Sequence, residues 1–368
     1  MCLYISAWAS TLLVQQYRAM RRPQSVERVT GVPTLSVFLP LHTKTFNHIK
    51  VQIWGLFVVL KNMFKKMKMH SPSFIRDLSY AIQRLAMRRD VNCSEQIVVD
   101  MPEAGMLSSK IGNRRALMMV NLKVNGIINS SDLSFIRMMA RRNLQRLDLS
   151  DACIVDGRYG FGTNSNVVAP HSFSLCTRLR EIVLPKGVVS IGHNAFSHCK
   201  RLSGIVIPDS VTLIDSKAFY DCRSLREIVI PDSVATVGSF AFYRCKRLES
   251  VRLSASLNQI SSSMFAQCER LSSVSVPDGV SMIGIDAFNG CHDLRRVTLP
   301  AGLERVYGGA FKDCQNLKEI RVGSERVPMM EPRTFDGCGK KCVVYVPQGS
   351  YHDYWLSEFG YFDKIVEF

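Results

Sequence analysis

The stretch LREIVIPDSVATVGSFAFYRC, residues 225–245, decides the fold of this chain. It opens with an alternation of period two, so Ile228 and Ile230 point to one face while Glu227 and Val229 point to the other. That is a short strand with one side buried. Pro231 then pre-sets the backbone of a turn, and the small Ser233 two places on suits that turn. Val234 and Val237 supply a second apolar pair before Ala241, Phe242 and Cys245 close the unit. One such unit has too little apolar surface to fold alone.

The unit recurs. Phenylalanine followed three residues later by cysteine stands at Phe173/Cys176, Phe196/Cys199, Phe219/Cys222, Phe242/Cys245, Phe265/Cys268, Phe288/Cys291 and Phe311/Cys314, every step being 23 residues. An eighth pair, Phe335/Cys338, follows after 24. A leucine stands three residues after each of the first seven cysteines, from Leu179 to Leu317, and opens the pattern L-x-x-[IV]-x-[LIV]. Stacked neighbours turn these small apolar sets into one continuous core, which is the condition for a solenoid. The expected fold is an α/β-type solenoid dominated by short stacked strands.

The copies across roughly 168–346 resemble the BspA-type, or treponemal-type, leucine-rich repeats of bacterial surface proteins. Ser254 and Gly323 stand in place of the turn proline, Ser261 replaces the glycine seen at Gly238, and Met264 replaces the alanine seen at Ala241. The longer step carries its extra residue between Gly323 and Val327, which predicts a bulged turn with an intact core. The resemblance implies a leucine-rich repeat array with N- and C-terminal caps, at the cell surface or secreted. Its implied role is non-enzymatic recognition: adhesion to another protein or a host or matrix macromolecule. One repeat architecture serves many partners, so the fold does not name this one.

Four segments are expected: a basic N-terminal segment (1–92), an N-terminal cap with irregular repeats and an inserted loop (93–166), the repeat solenoid (167–346) and a C-terminal cap (347–368). In the first cap, 117–126 and 143–151 read as irregular rungs, and Ser131-Asp132 as the cap of a helix through Leu133, Ile136, Met139 and Ala140. The final segment is aromatic, with Tyr351, Tyr354, Trp355, Phe359 and Phe362, and is expected to lid the last rung.

Charge separates these segments. The 368 residues carry a net charge of +16, but residues 1–92 hold 14 Lys/Arg against 3 Asp/Glu, while 173–368 hold 24 against 21. The basic excess therefore belongs to the first segment, and nucleic acid is not the expected partner of the repeats. No apolar run reaches the ~18 residues needed to cross a bilayer. Residues 71–89 read as a basic amphipathic helix with Phe74, Leu78, Ala81, Ile82 and Leu85 on one side, a form that can contact an anionic membrane. Met1–Val14 is apolar but has no positive cluster before it, so no clear secretory signal is readable. That leaves two rivals to a surface adhesin: a cytoplasmic interaction scaffold, and a protein tethered to membrane or nucleic acid through 1–92.

Motifs for chemistry are sparse. Eight of the 12 cysteines are locked to the repeat, which predicts a reduced core ladder, since buried free cysteine behaves as a small hydrophobe. Cys338 and Cys342 lack a second ligand pair, so no metal site is expected, and no cofactor motif or catalytic signature occurs. An enzyme is the least expected class. Recognition then falls to the outward residues of the strand face: Glu181/Val183, Gly204/Val206, Glu227/Val229, Ser250/Arg252, Ser273/Ser275, Arg296/Thr298 and Glu319/Arg321. Val183, Val206 and Val229 fall in register as an apolar stripe flanked by acids. The second candidate is the insertion Asp151–Asn166, with Tyr159 and Phe161 among glycines. A monomer is expected.

Overall fold

The computed structural model describes residues 96–155 and 165–368, all within one compact unit, Ala81–Phe368. The basic amphipathic stretch 71–89 and the loop residues Tyr159 and Phe161 lie outside the described residues. Each rung contributes two strands. The first set runs Glu181–Val183, Gly204–Val206, Glu227–Val229, Ser250–Arg252, Ser273–Ser275, Arg296–Leu299 and Glu319–Val322. Where these strands pair they do so in parallel and one repeat apart, Glu181 opposite Gly204 and Arg296 opposite Glu319. The turn after each strand leads into a second parallel set of two-residue strands, from Ser190–Ile191 to Met329–Met330. The architecture is a leucine-rich repeat solenoid of the α/β type.

A third line of bonding holds the corner where the unit closes. The Phe196 N–H donates to Ala218 C=O, Phe219 to Ala241 and Phe242 to Met264, and two residues on His198 donates to Tyr220 and Asp221 to Tyr243. The spiral that makes this pattern needs two left-handed residues per unit. Phe240 and Arg244 hold φ of 59° in one rung, Lys217 and Asp221 58° and 59° in the rung before. Such φ is costly for side-chain-bearing residues and persists because the bonds on either side over-determine it. Gly290, Gly309 and Gly337, and short polar residues such as Asn194 and Asp286, mark some of these positions in the sequence, but Phe240 and Arg244 do not.

The corner aligns the core. Phe173, Phe196, Phe219, Phe242 and Phe265 are buried and stack face to face, centroids 5.2 to 5.3 Å apart. Beside them each ladder thiol from Cys199 onward points back one rung: Cys199 Sγ lies 3.1 Å from Phe173 C=O, Cys245 Sγ 3.3 Å from Phe219 C=O and Cys338 Sγ 3.1 Å from Phe311 C=O. All ten described cysteines are free. The thiol thus does more than fill space, because its S–H gives a second donor to a buried carbonyl that already accepts the cysteine N–H of its own rung, tying one rung to the next. Burial pushes the thiols of Cys199, Cys222, Cys268 and Cys314 well up and that of Cys291 to about 12, so they hold their protons across the neutral range.

The sheet continues in both directions. Arg146–Asp148 pairs with Glu181–Val183 and, on its other side, with Asn121–Ile128. A further strand, Ile97–Met101, pairs onto Asn121–Ile128 and was not legible in the sequence. The helix Ser130–Arg142 follows, and its cap differs from the expectation. Asn129, not Ser131 or Asp132, is the cap: its Oδ1 accepts the Ser131 and Asp132 N–H groups at 3.0 and 3.3 Å. Asp132, three places on, answers by accepting the Asn129 N–H at 3.0 Å, completing a capping box. Buried as it is, Asp132 also takes the N–H groups of Leu107 (3.0 Å) and Gly105 (2.6 Å), which ties the helix to the chain before it.

At the far end Val343–Val346 extends the sheet and Lys364–Glu367 pairs onto it. Phe359 and Phe362 cover Phe335 at 5.3 and 4.9 Å, and the buried Tyr354 hydroxyl donates to Ser324 C=O at 2.7 Å. Tyr351 and Trp355 stay exposed, stacked on each other. The 24-residue step is absorbed as Arg305 opposite Met329, and the ring stack carries across it from Phe311 to Phe335 at 5.8 Å.

Candidate recognition surface

Pleating decides what the strand face shows. Ile182 and Ile228 turn inward, so Glu181, Val183, Glu227 and Val229 turn out, and Ser250, Arg252, Ser273, Ser275, Arg296, Thr298 and Arg321 are exposed beside them. Gly204 and Glu319 are half-buried. The valine stripe is solvated: Val183 is 42%, Val206 70% and Val229 53% exposed. Ion pairs organise the surrounding charges. Arg146 meets Glu181 at 3.0 Å, Arg252 meets Asp232 at 2.7 Å and Arg321 meets Glu319 at 2.7 Å. The Ala255 N–H, with Arg252 second, holds the Asp232 carboxyl below the usual carboxylate range.

The face has one feature that alternation could not reveal. The parallel ladder is interrupted between Gly204–Val206 and Glu227–Val229, which belong to separate sheets, and again between Ser250–Arg252 and Ser273–Ser275. At the first interruption lies a depression of about 640 Å³ lined by Ile205, Val206, Val229 and Pro231, with Asp209, Glu227 and Arg252 among its polar residues.

Elsewhere polar groups serve the fold. Asp221 is buried beneath His198 (3.0 Å) and Arg223 (2.7 Å); burial opposes its ionisation, but those two bonds outweigh it and hold its pKa below the ordinary value. Among the described residues no group of three His, Cys, Asp or Glu side chains could hold a metal ion, and no helix is long and apolar enough to cross a membrane.

Rungs of two parallel strands, closed by stacked phenylalanines and inward leucines, define a leucine-rich repeat protein. The chain belongs to the BspA type leucine rich repeat family, whose model matches six copies over residues 166–291 and 259–353. Among solved structures it is similar to a leucine-rich repeat protein from Bacteroides ovatus (19% identity, TM-score 0.46, covering 74% of this chain and 69% of that one). It is also similar to the leucine-rich repeat protein of T. pallidum (26% identity, TM-score 0.33, covering 54% and 77%). The pneumococcal vaccine antigen PcpA is a third such structure (15% identity, TM-score 0.40, covering 68% and 80%). No curated protein matches the chain.

Proposed function

We propose that this chain is a non-enzymatic recognition protein of the bacterial surface or its surroundings, binding another protein or a matrix macromolecule along the strand face. One observation carries the reading: Val206 and Val229, both exposed, line the depression where the ladder opens. Apolar side chains held on a rigid, repeated backbone lose little freedom on binding, so contact surface converts to affinity with a small ordering cost. The flanking Asp209, Glu227 and Arg252 supply orientation at the rim. The surface location rests on family membership, and the adhesive role is inferred from the exposed face.

The test is substitution of Val206→Arg with Val229→Arg. Both side chains already face solvent, so the unfolding midpoint should stay with the parent's, while adhesion to purified matrix glycoproteins and to cultured host cells should fall at least about tenfold, roughly 1.4 kcal/mol. Ile285→Arg, at an exposed position off the strand face, is the control and should bind as the parent does. Equal adhesion by the double variant and the parent would remove the strand face from the mechanism.

A further inference from the structure

Net charge conceals what register sorts. Residues 173–368 are close to neutral, with 24 Lys/Arg and 21 Asp/Glu. Stacking one repeat apart nevertheless sets equivalent positions side by side, and the span between each corner cysteine and its strand forms one continuous edge. Along four successive rungs that edge carries Arg178 and Arg180, then Lys200 and Arg201, then Arg226, then Arg247, all exposed. None of these six makes an ion pair with another described residue. Their neighbours Arg223 and Lys246 are held by Asp221 at 2.7 Å and Glu269 at 2.5 Å. The opposite edge, the turn after the strand, carries Asp209 and Asp232 in the second and third of these rungs. The row ends at the fourth rung, whose edge also carries the exposed Glu249, paired to Arg270 of the fifth rung at 3.5 Å.

Like charges on adjoining rungs, one ring-stack step of 5.2 to 5.3 Å apart along the core, repel each other and do nothing for stability. An unneutralised row of this kind fits a ligand that brings an anion to each step. We propose that this edge binds a linear sulfated polysaccharide lying across the first four rungs. Five of the six free cations are arginines, whose planar forks match sulfate oxygens two at a time. Nucleic acid fits less well. Tyr220 and Tyr243 stack on each other at 5.0 Å and His198 meets the Tyr220 ring edge-on at 5.3 Å, so these neighbouring rings are already engaged with one another rather than open to bases. These rungs hold only strands of two or three residues, with no helix to enter a groove.

The experiment is fluorescence anisotropy of labelled heparin oligosaccharide with the full chain, repeated across a salt series. Lys200→Glu with Arg201→Glu and Arg247→Glu should weaken binding at least about tenfold at physiological ionic strength and flatten the salt dependence. The neutral set K200Q, R201Q and R247Q should lose affinity in the same direction by less. Lys318→Glu with Arg326→Glu and Lys341→Glu, an equal charge change at exposed sites beyond the row, should bind within about twofold of the parent at matched salt. Both glutamate sets should keep the parent's unfolding midpoint. Hyaluronan, carrying carboxylates without sulfates, should bind more weakly than heparin. Parent-like heparin binding by the row variant, or an equal loss in the distant variant, overturns the proposal. Tighter binding of a DNA strand with the same dependence on the row would overturn the polysaccharide as its ligand.

Discussion

Phe242→Ala should destabilise the protein by about 3–5 kcal/mol, read as a lower urea midpoint. The ring is buried between Phe219 and Phe265, each 5.3 Å away centroid to centroid, so truncation removes two stacking contacts and leaves a void closed at both ends. The backbone has little room to collapse into that void. The Phe242 N–H is fixed to Met264 C=O, and its own C=O receives both the Cys245 N–H and the Cys268 thiol. Because repeat stability is a sum of rung and interface contributions, a central lesion should also split the single transition into two. A loss below about 1 kcal/mol would mean that the ring is not core.

Alkaline conditions should unfold the protein through the cysteine ladder. The thiols of Cys199, Cys222, Cys268 and Cys314 are raised well above their ordinary value and Cys291 to about 12, in each case by burial first. Below the pKa of an unfolded thiol both states hold the proton and pH has no effect. Between that value and the folded one the unfolded chain releases protons that the folded chain keeps, so stability falls as pH rises, on the order of 1 kcal/mol per pH unit for each thiol. Tyr354, pushed up to about 12 by burial, adds in the same direction. Urea midpoints measured from neutral pH upward should therefore decline steeply beyond pH ~9. Cys268→Ser keeps a donor toward Phe242 C=O but does not titrate, so its decline should be shallower whatever its stability at neutral pH. A midpoint independent of pH would mean that the thiols are not buried.

Much of this was legible in the sequence because the repeat states its own register. Once Phe, Cys and Leu recur at one spacing, period-two alternation places Ile228 inward and Val229 outward, and each copy supports the next. The same logic explains what stayed hidden. Backbone sign is not written in residues such as Phe240 and Arg244, which hold left-handed conformations because neighbouring rungs bond to them. The strand Ile97–Met101 has no repeat partner in the sequence to announce it. The cap at Asn129 is local, an Asn-x-x-Asp box that the spacing could have announced; what no spacing shows is that Asp132 also receives N–H groups from Gly105 and Leu107, distant along the chain. The opening of the sheet beside Gly204 is a property of two strands together, and the basic edge of the first four rungs vanished when charge was summed over segments instead of along the span between each corner cysteine and its strand.

Native-state hydrogen exchange at the corner amides tests the stacked array most directly. The N–H groups of Phe196, Phe219, Phe242, Phe265 and Phe288 each donate to the following rung, so none can exchange without parting two rungs. All five should be strongly protected, most of all in the central rungs, with protection declining toward the ends. Free exchange at these five amides, at rates typical of exposed loops, would contradict a solenoid whose rungs bury one another.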